Sequence, residues 1–308
     1  AEAYKDFPIL HKEHNGHRVI YLDSGATAQI PQSVIDRVVE HMTQRNGNPH
    51  RGSHILAIEA SEDYENARDR VVEFINARER EEVIFTRNST ESMNLIAHSY
   101  GLHNVKKGDK IVITVAEHHA NLVTWQYVAE QTGATLEYMY LDEHGHLKDG
   151  EINKIDEKTK IVAFAHVSNV LGMEFPVKEL TEKAHSVGAI VVLDGAQSTP
   201  HKKIDVQALD CDFFVFSGHK MCASQGIGVL YGKRDLLETM PPFLLGGDMI
   251  EYVKEQTATF NELPYKFEAG TPNADGAVSL HAAIDYLESF GMDAIEAYEE
   301  ELVAYILP

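Results

Sequence analysis

Several features that define large classes of proteins are scarce in this sequence. Its 308 residues include two cysteines, and its 27 lysine and arginine residues are outnumbered by 48 acidic ones. Two cysteines do not build a disulfide framework, so the composition fits a reducing compartment and predicts a cytoplasmic protein. Nucleic-acid-binding proteins present a basic face to the phosphate backbone. A formal charge of −21 without any Lys/Arg-rich run therefore argues against a nucleic-acid partner.

Long apolar runs are missing as well. The stretch AIVVL over 189–193 has the length of a buried strand, far below the ~20 apolar residues that cross a bilayer. The opening AEAYKDFPIL lacks the charged and apolar regions of a secretory signal. We therefore expect no membrane partner. The chain is 44% hydrophobic, which supplies a sizeable core, and its length fits two domains or one large α/β domain with an appendage.

What is present is a regular alternation of helical and strand patterns. Apolar residues at helical spacing predict helices over 31–46, 54–77, 89–100, 120–132, 176–187, 277–290 and 293–306. Short β-branched or aromatic runs predict strands over 82–86, 111–115, 135–141, 161–167, 189–194, 212–217 and 228–232. Because these strands are continuously apolar, both of their faces should be covered. The predicted fold class is α/β, with a mainly parallel central sheet and helices on both faces.

Two of these helices carry more specific predictions. The helix over 31–46 starts at Pro31 and places four apolar side chains on one face, namely Ile35, Val38, Val39 and Met42. The helix over 89–100 is expected to stop at Gly101, because glycine commonly ends helices.

Polar side chains follow the predicted strands at their carboxyl ends, where open α/β sheets bind ligands. They are Asn88, Ser89, Thr90, His118, His119, Asn169, Asp194, Gln197, Ser217, His219 and Lys220. A lysine that forms a Schiff base with pyridoxal phosphate (PLP), beside an acidic partner for the pyridine nitrogen, needs such a set. Ser89 and Thr90 open a predicted helix, where free backbone N–H groups bind an anion.

Simpler interpretations compete with this one. Lys220 taken alone would be a solvated surface residue. The pair His118–His119 could indicate a metal, but adjacent strand residues point to opposite faces and no ligand set at zinc spacing follows, so we expect no metal site. The stretch GIGVLYG over 226–232 opens a strand and lacks the third glycine of a nucleotide-binding loop, which predicts a tight turn.

Eight blocks in order carry a resemblance to a known family: YLDSGATAQIP, HRGSH, NSTESMN, EHHANLVTWQ, HVSNVLG, DGAQSTPH, SGHK and FEAGTPN. Together they resemble the SufS-type (group II) cysteine desulfurases, which are class V, fold-type I PLP enzymes. The forms HHAN and HVSNVLG favour this branch over the NifS/IscS-like branch. The resemblance implies an N-terminal segment over 1–15, a large PLP-binding domain over 16–290, and the beginning of an incomplete small C-terminal domain over 291–308.

The resemblance also implies a role for each site residue. Lys220 would bind the cofactor and move the substrate Cα proton, and His118 would stack on the ring and take part in proton transfer. Asp194 would pair with the pyridine nitrogen and Gln197 with the ring hydroxyl. The phosphate would be held by Ser89, Thr90, Ser217 and His219, and by Thr271 reaching across to a neighbouring subunit of a homodimer. The substrate would meet Asn169 near its carboxylate, and His50 and Arg51 at the entrance.

The implied activity is conversion of L-cysteine to L-alanine, with the sulfur carried as an enzyme persulfide to a SufU- or SufE-like acceptor protein for iron–sulfur cluster assembly. Two alternatives stay open. One is a selenocysteine lyase or another class V PLP enzyme, and the other is a catalytically silent subunit with the same fold. A silent subunit has no need for Lys220, Asp194 and His118, so their presence favours an enzyme.

The sequence departs from the family in two places. Family members continue through a C-terminal domain that supplies the nucleophilic cysteine and an arginine for the substrate carboxylate, so a chain ending at 308 is expected to bind PLP but to transfer sulfur poorly. Neither Cys222, two residues beyond Lys220, nor Cys211, before a buried strand, is expected to replace that nucleophile. Ala223 stands where the family usually has glycine, and we expect strain there if the turn needs a positive φ.

Overall fold

A computed structural model describes residues 2–307. Their central element is a seven-stranded sheet with the order β3–β9–β8–β7–β6–β4–β5. Its strands are β3 (Val83–Thr86), β4 (Lys110–Thr114), β5 (Thr135–Met139), β6 (Thr159–Ala165), β7 (Ile190–Asp194), β8 (Phe213–Ser217) and β9 (Gly228–Gly232). Two short hairpins lie outside this sheet, formed by β1 (Glu13–His14) with β2 (His17–Arg18) and by β10 (Ile250–Val253) with β11 (Ala258–Phe260).

The sheet is mainly parallel, as the continuous apolar strands predict. The strands β5, β4, β6, β7 and β8 run parallel to one another. β9 runs antiparallel to both of its neighbours, β8 and β3. The connection from β8 to β9 contains no crossover α-helix among its residues, and a parallel return normally needs one. The segment over 218–227 instead turns the chain back into the sheet, and this segment carries Lys220.

Helices cover both faces of the sheet. They are α1 (Gln32–Gln44), α2 (Ile55–Ile75), α3 (Ser89–Ile96), α4 (Leu102–Asn104), α5 (Val123–Thr132), α6 (Val177–Ser186), α7 (Val206–Leu209), α8 (Arg234–Thr239), α9 (Ala274–Phe290) and α10 (Met292–Ile306). One core layer joins α1, α2, α6 and α9 to the sheet, and the other joins α3 and α5 to the opposite face. Neighbouring strand residues such as Val191 and Val192 are fully buried in different layers. This two-sided burial is the reason why the strands are apolar throughout.

The apolar stripe of α1 does not face this core. Ile35, Val39 and Met42 are exposed, whereas Val34 and His41 are the buried side chains of α1. The side of α1 that carries Val34 and His41 packs against α9, and the His41 ring contacts Asp63 of α2. The predicted stripe therefore exists as a face of the helix and points away from the interior of this chain.

Gly101 does not end the helix that α3 begins. The chain passes through a π-helical turn over 97–101 and continues into α4, so the predicted stop is wrong. A Cβ atom at position 101 would lie 3.2 Å from Val128 Cγ2, so glycine favours the close approach of α5. Among residues 2–307, no helix is long and apolar enough to span a membrane.

Candidate active site

A cavity of about 620 Å³ opens at the carboxyl edge of the sheet, above the ends of β6, β7 and β8. Nine of the residues to which the resemblance gives a role line it: Ser89, Thr90, His118, Asn169, Asp194, Gln197, Ser217, His219 and Lys220. They come from several separate stretches of sequence. The parallel strands bring these stretches to one edge, as the rule for ligand sites in open sheets predicts.

The cavity contains one amine and one carboxylate of opposite charge. Within the part of the chain that the structure describes, Lys220 has no ion pair within 4.0 Å, and the one hydrogen bond found for the Asp194 carboxylate comes from the Ala196 N–H, at 3.0 Å. Burial lowers the pKa of Lys220, against the pull of the Asp194 charge. Burial likewise raises the pKa of Asp194, against the Ala196 N–H and the nearby His118 and Lys220. A ligand bound in the cavity could therefore form ion pairs or hydrogen bonds with both groups.

The His118 ring is fixed by its own backbone turn. Its Nδ1 accepts a hydrogen bond from the Ala120 N–H at 3.1 Å. That bond requires an unprotonated Nδ1, which leaves Nε2 as the protonated nitrogen of the neutral ring. Burial is the largest cause that lowers the pKa of His118. The ring is accordingly neutral near pH 7 and is presented to the cavity in one orientation.

The start of α3 forms an anion-binding corner of the cavity. Asn88 caps the helix through its Oδ1, which accepts the Glu91 N–H at 2.9 Å. The Ser89 N–H donates to Ser217 Oγ at 2.9 Å, and the two serine hydroxyls are 2.8 Å apart. The N–H groups of Ser89 and Glu91 already have partners, so the Thr90 N–H and the positive dipole end of the helix remain for an anion. Together with the serine hydroxyls, they can hold a phosphate group.

Gly228 allows β9 to approach this corner. A Cβ atom at position 228 would lie 2.6 Å from Asn88 Cα, and this neighbour is backbone. We expect Gly228→Ala to lower the free energy of unfolding by ~1–3 kcal/mol and to weaken phosphate binding by displacing the start of α3. Chemical denaturation compared with Gly246→Ala, where the nearest atom would be 4.0 Å away, measures the effect. Equal stability of the two variants would contradict this explanation of Gly228.

Two further predicted residues lie toward the opening of the cavity. Gln197 Nε2 donates to the Gly25 carbonyl at 3.0 Å, which fixes the amide and leaves Oε1 available. Asn169 follows β6 on a loop whose next residue, Val170, is strongly exposed. Gly25 belongs to a turn over 23–26 that also lines the cavity.

Three predicted residues lie away from this cavity. His50 and Arg51 line a second cavity of about 580 Å³, and the exposed Thr271 lies between two of its lining residues, Gly270 and Pro272. Arg51 Nε binds Asp248 Oδ1 at 2.6 Å. The candidate residues therefore form two sets in one chain. The nine in the first cavity can act together, whereas these three line or flank a different cavity.

Neither cysteine has the properties of a nucleophile. Both side chains are buried, and burial raises the pKa of Cys222 to about 12 and that of Cys211 further. A thiolate is the reactive form of cysteine, so both are inert thiols at neutral pH. The backbone strain expected at Ala223 lies one residue earlier, because Cys222 is the residue with positive φ, at 68°. The turn after Lys220 thus reaches the left-handed region at a residue other than glycine.

Sequence reasoning missed Glu117, which lies behind the cavity wall. It is buried and accepts hydrogen bonds from Thr114 Oγ1 at 2.6 Å and Asn121 Nδ2 at 2.8 Å. Burial raises its pKa to about 8, with the charge of Asp194 adding to the rise. An acidic residue between a buried strand and His118 was the signal that could have identified it.

Comparison with known proteins gives consistent matches over the whole chain. The model of the family described as aminotransferase class-V matches residues 20–308. The chain is 53% identical over 307 residues to a probable cysteine desulfurase of Halalkalibacterium halodurans, covering 99% of this chain and 76% of that protein. It is 49% identical to a cysteine desulfurase of Haloferax volcanii, covering 97% and 74%.

Solved structures give the same match in three dimensions. The apo structure of a cysteine desulfurase from Thermococcus onnurineus superimposes with a TM-score of 0.93 at 41% identity, covering 99% of this chain and 74% of that one. The cysteine desulfurase CsdA from Escherichia coli superimposes with a TM-score of 0.89 at 39% identity, covering 98% and 74%. The chain therefore spans about three quarters of the length of these proteins.

Proposed function

The chain belongs to the class-V aminotransferase family, among relatives that are cysteine desulfurases, and from this membership we propose that it binds PLP and removes sulfur from L-cysteine to leave L-alanine. The family is PLP-dependent. The observation that carries the proposal is the cavity in which Lys220 and Asp194 lack ion-pair partners among the described residues, next to the start of α3.

The residues of this cavity fit PLP group by group. Asp194 would accept a hydrogen bond from the protonated pyridine nitrogen, and His118 would lie against one face of the ring. Thr90 at the start of α3, together with Ser217, would hold the phosphate. Lys220 is the lysine that lines the cavity, and its lowered pKa increases the fraction of neutral amine that can react with an aldehyde.

The chemistry divides between the cofactor and the protein. When bound, PLP supplies an electron-accepting ring that stabilises negative charge at the substrate Cα. Asp194 would hold a proton at the ring nitrogen, which would make the ring a better acceptor. Lys220 Nζ would be the base that takes the proton from the substrate Cα and returns it. The neutral His118 ring orients the cofactor and can relay a proton through Nε2.

The sulfur needs a thiol other than those of Cys211 and Cys222. Both are buried with raised pKa values, so we propose that sulfur leaves to a thiol from outside residues 2–307, such as a SufU- or SufE-like acceptor protein or an added dithiol. The SufS-type branch and a role in iron–sulfur cluster assembly belong to the same proposal.

Product analysis tests the proposed activity. Purified protein loaded with PLP and given L-cysteine with dithiothreitol should release alanine and sulfide in equal amounts, and Cys211→Ala should release them at the same rate. Alanine from selenocysteine but not from cysteine would indicate a lyase of the alternative class. Bound PLP without alanine from either substrate would contradict the proposal and favour the silent subunit.

We also propose that the protein is a homodimer in which His50, Arg51 and Thr271 complete the cavity of the second copy. Exposed apolar side chains on either side of His50 and Arg51 support this arrangement. They are Ile35, Val39 and Met42 of α1 and Ile55, Leu56 and Ile58 of α2. Monomeric proteins seldom expose so many apolar side chains within one stretch, and apolar patches commonly mark subunit interfaces.

Charge substitution in this stretch should separate the subunits. We expect Val39→Glu/Ile58→Glu to be a monomer by light scattering at micromolar concentration, because the substitution places charges in an apolar interface. Its affinity for PLP should also fall, because Thr271 of the second copy is lost. Phe290→Glu, at a half-exposed aromatic residue of α9, is the control and should remain dimeric. A monomeric wild-type protein with full PLP affinity would contradict the dimer.

A further inference from the structure

Glu117 joins three segments of the chain behind the wall of the cavity. Its Oε1 accepts from Thr114 Oγ1 at the end of β4, at 2.6 Å, and from the Ala165 N–H at the end of β6, at 3.1 Å. Its Oε2 accepts from Asn121 Nδ2, beyond the turn, at 2.8 Å. One carboxyl group thus connects both ends of the turn that carries His118 to the neighbouring strand.

The contact with β6 takes the place of a strand-to-strand hydrogen bond. The pairing of β4 with β6 ends at Ile113 and Ala163, because the chain leaves the sheet after Thr114. Ala165 would otherwise have an unpaired N–H on that side, which is costly in a buried position. On its other side Ala165 is the register partner of Asp194. Ala165 therefore lies between the Glu117 carboxyl group and Asp194, the acidic residue of the site.

The orientation of Asn121 is fixed as well. Trp125 Nε1 donates to Asn121 Oδ1 at 2.7 Å, and Trp125 is completely buried. This bond identifies the other amide atom of Asn121 as the NH₂ group, and that group faces Glu117. The network runs from the core, through Asn121 and Glu117, to the backbone of His118 and of Ala165, and each carboxyl oxygen of Glu117 has a donor.

We propose that Glu117 is a positioning residue of the cofactor site: its carboxyl group sets where the His118 ring stands relative to the Asp194 carboxylate. The inference rests on the proposed function for its link to PLP, but the geometry concerns His118 and Asp194 in the protein alone. Glu117 does not line the cavity, so it acts through the backbone it holds and not by touching the cofactor or the substrate.

The two carboxyl oxygens of Glu117 determine how each variant affects the network. Both are acceptors: Oε1 for Thr114 Oγ1 and the Ala165 N–H, and Oε2 for the Asn121 NH₂ group. Glutamine has the same shape, but its NH₂ group would face the Ala165 N–H or the Asn121 NH₂ group, which are themselves donors. Glu117→Gln should therefore disturb the turn, and Glu117→Ala, which removes all three contacts, should release it.

Two measurements at pH 7 test the proposal. In the protein without cofactor, NMR of the His118 imidazole, assigned by its loss in His118→Gln, should show a ring released from the Ala120 N–H in Glu117→Ala and a displaced ring in Glu117→Gln. In titrations with PLP, the dissociation constant should rise about tenfold in Glu117→Ala, as expected for one lost positioning interaction, and should also rise in Glu117→Gln, where two donors face each other.

Glu82→Ala is the matched control. Glu82 is also a buried glutamate that accepts a backbone N–H, from Arg78 at 3.0 Å, and it lies beside a different cavity. Its truncation should change neither measurement. Wild-type values for both measurements in Glu117→Ala, or an equal loss in Glu82→Ala, would overturn the proposal.

The same experiments distinguish two further outcomes. If the wild-type protein does not bind PLP, the proposed function fails while the His118 resonance still decides the role of Glu117. If Glu117→Ala does not fold, Thr114→Val removes one of its three contacts without truncating Glu117. That variant should shift the His118 resonance in the same direction by a smaller amount, and an unchanged resonance in it would overturn the proposal.

Discussion

Replacing Lys220 with alanine is expected to lower the rate of alanine formation from cysteine by ~10³-fold or more, because one residue supplies both the amine that holds the cofactor and the base at Cα. Lys220 has no ion-pair partner within 4.0 Å in the described chain, so its removal should leave the free energy of unfolding almost unchanged. Single-turnover assays and denaturation curves measure the two effects.

The control for Lys220→Ala is Lys178→Ala, at an exposed residue of α6 that makes only a long contact to Glu182, at 3.9 Å. That variant should retain full activity. If Lys220→Ala kept more than about a tenth of the wild-type rate, the assignment of both roles to Lys220 would be wrong.

The second large effect is expected at Asp194. Asp194→Asn keeps the shape of the side chain but removes the charge that holds a proton on the ring nitrogen, and we expect activity to fall by about 10²-fold or more. The absorption band of the bound cofactor should move as well, because the ring nitrogen loses its proton. Absorption spectra and rates recorded on the same sample test both parts.

Although Asp194→Asn should lower activity, it should raise the free energy of unfolding of the protein without cofactor. The folded-state pKa of Asp194 is raised by burial, so its stabilising contribution is present at low pH and is lost as the pH rises through that folded-state value. Without cofactor, the Asp194→Asn variant should therefore be more stable than the wild type at neutral pH. The difference should shrink at acidic pH, where the wild-type carboxyl group is protonated.

Asp212→Asn provides the contrasting case. Asp212 is also buried, but its carboxylate accepts from the Val191 N–H at 2.7 Å and pairs with His185 and Lys233. Loss of a satisfied buried charge is destabilising, so this variant should be less stable than the wild type. A loss of stability in both variants would show that the protein alone satisfies the Asp194 carboxylate, and would contradict its role as a group that awaits a partner in the cavity.

The sheet and the first cavity were predictable because their signals are local. A strand buried on both faces must be apolar at every position, and AIVVLD and DFFVFS meet this condition up to their polar ends. Once the strands are parallel, their carboxyl ends share an edge. The alternation of helix and strand patterns already indicated a parallel sheet, and the topology of that sheet brings Asp194 and Lys220 together.

The predictions that failed depend on contacts between elements, and the sequence pattern of one element does not contain that information. The stripe of Ile35, Val39 and Met42 predicts an apolar face but does not specify which neighbour covers it. Gly101 has the form of a helix stop, and only the proximity of Val128 explains the glycine. The positive φ of Cys222 depends on how the chain turns back into β9, and the direction of β9 is itself a property of the whole sheet.

Reduction with borohydride tests the central claim most directly, because it fixes a bond between PLP and a lysine. After incubation with PLP, reduction and digestion, mass spectrometry should find the cofactor on the peptide that contains Lys220, with one cofactor per chain, and should find none in Lys220→Ala. Cofactor on a different lysine, or none on the wild-type protein, would contradict the assignment of this cavity as a PLP site.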